Sequence, residues 1–149
     1  MTTGGSKVFV DTNVLVYARS ALSPFHTAAV SKLHGLTTAG SELWVSRQIL
    51  REYLATTTRP GTIVPPLPVV DLIADVAGFL ARFHIAEDSP AVFAPFLSLL
   101  AAVPCGGRQV HDANIVATML AHGVPSLLTH NTADFARFGG YIAVVPLVP

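Results

Sequence analysis

A chain of 149 residues fits one domain and is long enough to bury a substantial core. It is 51% hydrophobic and only 12% charged, about half the usual charged share, which excludes a disordered chain. Nine basic residues balance nine acidic ones, so the basic excess usual in nucleic-acid binders is missing, and any chemistry on a phosphate has to rest on the acids.

Along the chain, residues 1–6 carry no basic stretch ahead of an apolar run and are expected to form a loose polar tail, not a signal peptide. Val8, Phe9 and Val10 predict a short strand that ends at Asp11, with a helical start over 12–17. A helix is expected from 24 to about 39, with Ala28, Ala29 and Leu33 on one side. Leu43, Trp44 and Val45 predict a second strand, Ser46 a cap for a helix over 47–58, and Arg59-Pro60-Gly61 its stop. Residues 69–82 have a helical period, 83–86 suit a short strand, and Ser89 is expected to cap a helix with Pro90 at its first position. The longest uncharged stretch, 89–107, is interrupted by Pro90, Pro95 and Pro104, and its helical part is too short to span a bilayer. The single Cys105 has no partner thiol in the chain, which suits a reducing, cytoplasmic setting. The clearest helix covers 110–122, and Gly123 and Pro125 end it; a strand at 127–129, a short helix at 133–137 and a last strand at 142–145 follow. Strands that alternate with helices and are apolar throughout imply an α/β/α sandwich with a central, mainly parallel sheet flanked by helices.

In such sheets ligands bind outside the carboxyl ends of the strands. Asp11 follows the first strand, Glu52 lies on the helix after the second, and Asn131 and Asp134 follow the strand at 127–129, so all can face one cleft. Asp112 is the most telling acid, because on a helix it shares a stripe with Val116 and Met119, flanked by Ile115 and Leu120. A carboxylate within an apolar stripe heads inward, where an unpaired charge is very costly. The positive end of the helix would explain its place along the axis but not its face. The other three have ordinary roles open to them. Asp11 suits a helix cap, and Asp134, with Thr132 or Asn131 as caps, suits a helix's first turn. Glu52 lies about 60° from Ile49, at the border of a buried face made by Ile49, Leu50, Tyr53 and Leu54. Asp71 and Asp75, four apart on one helix face, are expected on a wet surface, and Glu42, Glu87 and Asp88 carry no assigned chemistry. The six histidines show no metal-binding spacing, and His111 reads as a groove or packing residue.

Four segments together resemble PIN-domain nucleases: Val8-Phe9-Val10-Asp11-Thr12-Asn13-Val14; Ser46-Arg47-Gln48-Ile49-Leu50-Arg51-Glu52-Tyr53; His111-Asp112-Ala113-Asn114-Ile115-Val116-Ala117; and Thr129-His130-Asn131-Thr132-Ala133-Asp134-Phe135. They stand in the family's order and at family-like spacing over nearly the whole chain, and the length and closing 141–149 segment most resemble the VapC toxins of toxin–antitoxin pairs. The resemblance implies a single PIN-like domain over 1–149. It also implies an acidic quartet of Asp11, Glu52, Asp112 and Asp134, with Asp11 and Asp112 foremost as metal ligands and Thr12, Asn13, Thr129 and Asn131 orienting them. The expected activity is endonucleolytic hydrolysis of RNA that leaves a 5′-phosphate; the expected partners are a second copy of the chain and a VapB-like antitoxin covering the cleft, with no membrane.

Oxygen ligands without cysteine or clustered histidine favour Mg²⁺ or Mn²⁺, as one or two ions. Four clustered carboxylates raise one another's pKa unless a cation neutralises them, and two divalent ions would balance four charges. Arg19, Arg47, Arg51 and Arg108 are candidates to hold flanking phosphates, and the apolar helices near 24–39 and 69–83 to bind an antitoxin segment. Three alternatives remain: a housekeeping RNA-processing nuclease of the same family, a non-catalytic partner-binding module, and a receiver-like phosphoacceptor. The last would need an acid pair near Asp11 and a late lysine, whereas the only lysines are Lys7 and Lys32.

Overall fold

The computed structural model describes residues 5–149. Five strands form one sheet in the order β3-β2-β1-β4-β5, every neighbouring pair parallel: β1 (Lys7–Val10), β2 (Glu42–Val45), β3 (His84–Ile85), β4 (Ser126–Thr129) and β5 (Ala143–Pro146). Seven helices flank it: α1 (Thr12–Arg19), α2 (His26–Thr38), α3 (Arg47–Thr57), α4 (Val69–Arg82), α5 (Pro90–Ala102), α6 (Gln109–His122) and α7 (Thr132–Phe135), the last continued by a 3₁₀ turn over Ala136–Phe138. The three-layer α/β fold expected from the alternation is the one observed. Of the expected tail, residues 1–4 lie outside the described residues, whereas the Ser6 carbonyl accepts the Glu42 N–H at 2.8 Å and so extends the β1–β2 pairing.

The first half of the sheet's order reverses the chain and the second follows it, so β1 lies in the middle with β2 on one side and β4 on the other. Its residues are accordingly apolar and buried from Val8 to Val10, and Phe9 and Val10 are fully enclosed. The opposite faces of the sheet pack through Leu15, Ile49, Ile115, Met119, Phe135 and Phe138, all essentially inaccessible. The edge strands are short or marked: β3 has two residues, and β5 ends on Pro146, which an edge tolerates.

Local chemistry fixes the element ends. Ser46 caps α3, its hydroxyl accepting the Ile49 N–H, a contact worth ~1 kcal/mol. Gly123 ends α6 in the left-handed conformation at φ 67°, which glycine adopts without strain. Two expectations fail here. Ser89 precedes α5 but makes no side-chain cap bond. Pro95 does not interrupt that helix, which runs through it to Ala102; packing of Val92 and Leu99 into the core outweighs the missing N–H.

Asp75 also departs from expectation. It is not on a wet face: one carboxylate oxygen accepts both the Tyr53 hydroxyl at 2.6 Å and the Arg19 Nε–H at 2.9 Å, tying α3, α1 and α4 together. Burial, then the bond to Asp75, holds the Tyr53 phenol protonated well above its usual range. Asp71, one turn earlier on α4, is exposed as expected. Removing the shared acceptor in Asp75→Ala orphans a buried hydroxyl and should lower stability by about 1–3 kcal/mol, against about 0.5–1.5 kcal/mol for Tyr53→Phe. Urea unfolding of both variants measures this, and midpoints equal to wild type would show that the network adds nothing.

Candidate functional site

Asp11 is the residue after β1, 6% exposed, and its backbone N–H still bonds the Leu128 carbonyl of β4 at 3.0 Å. Its carboxylate accepts three donors: the Thr12 N–H at 2.8 Å on one oxygen, and Asn13 Nδ2 at 3.0 Å and the Thr129 hydroxyl at 2.7 Å on the other. Burial pushes Asp11 above the ordinary carboxylate range and Glu52 adds to this, while the bonds from Thr129, Thr12 and Asn13 pull it part of the way back.

The Thr12 hydroxyl turns the other way and donates to Glu52 Oε2 at 2.9 Å, joining α1 to α3. Glu52 Oε1 accepts Gln48 Nε2 at 3.0 Å, and the same Gln48 nitrogen reaches the His111 carbonyl at 3.2 Å. Gln48 Oε1 in turn accepts Asn114 Nδ2 at 2.8 Å. Gln48 therefore bridges α3 to α6 on either side of Asp112.

Asp112 lies in the first turn of α6, half-buried, beside the fully enclosed Ile115, Val116 and Met119. Leu120, expected to flank that stripe inside, is instead exposed on the outer side of the helix. Burial first, then the charges of Asp11, Asp134 and Glu52, push Asp112 up to about 6, with Arg137 the opposing influence. The side chains of Asp112 and Asp134 accept no hydrogen bond from other described residues.

All four acids line one open cleft of about 700 Å³ together with Thr12, Asn13 and Asn131. Asn131 touches the network through its backbone, donating its N–H to the Thr129 hydroxyl at 3.0 Å, while Asn13 Oδ1 accepts the His130 N–H at 3.0 Å. Of the arginines singled out as phosphate contacts, Arg108 lines the cleft. Arg19 is held by Asp75 and Arg47 is held through both its Nε and Nη2 by Glu87, so neither faces the acids. Arg59, in the turn after α3, lines the cleft, although its Arg-Pro-Gly context marks only the end of a helix. His111, the expected groove residue, lines it too.

The donor set fits a hard divalent cation. It is all oxygen, it gathers four acids whose mutual repulsion is visible at Asp112, and two of the four keep their oxygens unengaged. Among the described residues no three histidine, cysteine or acidic side chains already stand close enough to close around one ion, so the acids face a shared space and do not form a finished chelate.

The PIN domain family matches residues 8–141. Ribonuclease VapC48 of Mycobacterium tuberculosis is 29% identical over 132 residues, covering 87% of this chain and 90% of that protein. Ribonuclease VapC37 of the same species is 30% identical over 133 residues, covering 88% and 91%. Among solved structures, a toxin–antitoxin complex from Klebsiella pneumoniae shares the fold with a TM-score of 0.67 at 21% identity, covering 94% of this chain and 97% of that one.

An acid whose folded pKa is raised contributes stability below its unfolded pKa and loses it as pH rises through the folded value. For Asp112 that window runs from about 3.8 to about 6. In EDTA-containing buffer Asp112→Asn should therefore raise Tm at pH 7.5 and leave it unchanged near pH 3.5. A gain of equal size at both pH values would show that the buried, ionised carboxylate is not its source.

Proposed function

This chain belongs to the PIN-domain family, and from that premise we propose that it is a VapC-type endoribonuclease, hydrolysing RNA with Mg²⁺ or Mn²⁺ held by Asp11, Glu52, Asp112 and Asp134. The observation that carries this reading is Asp112, a half-buried acid facing three others, lifted to about 6 and without a hydrogen-bond donor among the described residues. Such a group raises the folded state's free energy at neutral pH, and a cation in the cleft reverses that.

The chain's own residues divide the work. Asp11 is immobilised by Thr12, Asn13 and Thr129, so it fixes where a ligand oxygen sits. Glu52 is aimed by Thr12 and Gln48 from its two sides. Asp112 and Asp134 present unengaged oxygens across the cleft, and Arg59 and Arg108 line it where they can hold the phosphates that flank the scissile one. One or two bound divalent ions would neutralise the scissile phosphate, lower the pKa of the attacking water and stabilise the leaving oxygen, giving a 5′-phosphate product.

The proposal includes an antitoxin and a second copy of the chain. A second groove, about 760 Å³, is lined by Leu33 of α2, by Phe79 of α4, by Leu43 and Phe83, and also by the charged Arg19, Glu42, Asp75 and Arg82. Its apolar floor fits an amphipathic segment of a VapB-like partner. Phe93 and Leu97 on α5 are exposed and supply area for self-association. No described helix is long and apolar enough to cross a membrane; the cytoplasmic site of action in this proposal follows from the ribonuclease reading and the single Cys105. A monomer by sedimentation would remove the homodimer from this proposal. A gene context without a small neighbouring antitoxin would favour a housekeeping nuclease of the same family.

The decisive experiment is cleavage of total cellular RNA by the purified chain with Mg²⁺, Mn²⁺ or EDTA. Discrete fragments should form with either metal and vanish with EDTA. Thr129→Ala, which removes one donor from Asp11 and the acceptor of the Asn131 N–H, should lose about 10–100-fold in rate, and Asp112→Asn should lose more. An Asp112→Asn protein with full metal-dependent activity would overturn the assignment of the acids, and a wild-type chain inert with every metal would favour a non-catalytic binding module.

A further inference from the structure

Beside its acids the cleft has an apolar wall made by Val16, Tyr17, Ile115 and Phe135. Val16, Ile115 and Phe135 are core residues that merely show an edge, being 6%, 2% and 2% exposed. Tyr17 is different: it is half-buried, and its hydroxyl has no hydrogen-bond partner among the described residues. Its hydroxyl reaches solvent and is satisfied there, but neither phosphate binding nor metal binding gives an acidic cleft any use for a ring.

The ring is also held firmly. Phe25 packs against it at 5.1 Å and a 45° tilt, and His130 meets it edge-on at 5.5 Å and 83°, while Phe25 and His130 pack on each other at 4.2 Å. The backbone behind the ring is pinned by His26 Nδ1, 3.0 Å from the Tyr17 carbonyl oxygen. His130 connects this cluster to the acids, because its N–H bonds Asn13 Oδ1 and the Asn13 amide bonds Asp11. The ring is thus fixed relative to the Asp11 carboxylate by a continuous run of contacts.

We infer that Tyr17 is a base-stacking residue, holding the nucleobase next to the scissile phosphate, with Phe25 and His130 as positioning residues behind it. The inference rests on the ribonuclease reading above and sharpens it. A base can lie on an aromatic face only when it has left its own stack, so the cleft selects an unpaired nucleotide in a loop, a bulge or a single strand. Ring stacking tolerates every base, so any preference among bases has to come from hydrogen-bonding groups around it, the Tyr17 hydroxyl at the ring's edge among them.

The test uses a short RNA spanning a site end-mapped from cleaved cellular RNA, and the same RNA with an abasic ribose at each position flanking that site. Tyr17→Leu should lower kcat/KM on the intact RNA roughly 5- to 150-fold, mostly through KM, the range for losing one stacked base. Tyr17→Phe, which keeps the ring, should recover most of that loss. One abasic RNA should be cut by the wild-type chain about as poorly as Tyr17→Leu cuts the intact one, and Tyr17→Leu should lose nothing further on it. Equal losses on intact and abasic RNA would mean that Tyr17 only packs, and would overturn the inference, as would a Tyr17→Leu protein as active as wild type. Should Tyr17→Leu fail to fold, the abasic series on the wild-type chain still decides, since indifference to every flanking base overturns it. A wild-type chain that cuts no RNA at all would instead bring down the ribonuclease reading, and this inference with it.

Discussion

The carboxylate of Asp11 is buried at the end of the central strand, and nearly everything else at the site follows from how that burial is made tolerable. A carboxylate removed from water is costly unless several donors replace its hydration. Here the donors come from three places: the first helical N–H of α1, the Asn13 amide one residue on, and the Thr129 hydroxyl at the end of β4. The last depends on sheet register. Val10 pairs with Leu128, so the residues after them, Asp11 and Thr129, end side by side. A shift of one residue would turn the Thr129 side chain to the opposite face. The packing that aligns the two strands is therefore also what keeps Asp11 ionisable.

From Asp11 the arrangement spreads through small polar residues. Thr12 serves two acids at once, its N–H bonding Asp11 and its hydroxyl Glu52. Gln48 serves Glu52, the His111 carbonyl and Asn114 together, so the distance between α3 and α6 is set by an amide side chain. This matters because four acids around one space repel, and Asp112 bears much of that strain. The chain has nine acids in all. Four face this cleft, while Asp75 and Glu87 pair with Arg19 and Arg47 elsewhere. The zero net charge thus hides a local excess of negative charge, balanced at a distance, with Arg59 and Arg108 the basic side chains lining the cleft itself.

What the sequence made legible was whatever is encoded locally. The Ser46 cap, the span of α4, the glycine stop after α6 and the apolar strands each depend on neighbouring residues, and each is where the residues imply. Asp112 could be singled out because an acid conflicts with the apolar stripe around it, and such a conflict is visible without knowing its partners. Gln48 and Asn114 carry no such sign: 66 residues separate them, and an amide on a helix is equally at home in solvent. Asp75 misled for the complementary reason. Two acids a helical turn apart look solvated, and only the arrival of Tyr53 and Arg19 from other helices makes one of them half-buried. Arg59 was hidden by its neighbours, since an Arg-Pro-Gly turn announces a helix end and says nothing of which way the arginine leans.

Helices α1 and α3 separate the acidic cleft from the second groove, so a neutral, strongly hydrophobic chain carries two surfaces of different chemistry. Thr12, Asn13, Val16 and Tyr17 of α1 face the cleft, whereas Leu15, Ala18 and Arg19 face the groove. On α3, Glu52 and Thr56 look one way and Tyr53 the other. A helix turns about 100° per residue, so adjacent positions can serve different surfaces without any extra structure. The wall between the surfaces is one helix layer thick, and it is stiffened from the groove side by the Tyr53–Asp75–Arg19 network and from the cleft side by the bond from Thr12 to Glu52. Each surface can then keep its own chemistry: four acids and two arginines in the cleft, and leucine and phenylalanine beside a few charged side chains in the groove. Net charge measures neither, because it sums charges that are here committed to local geometry.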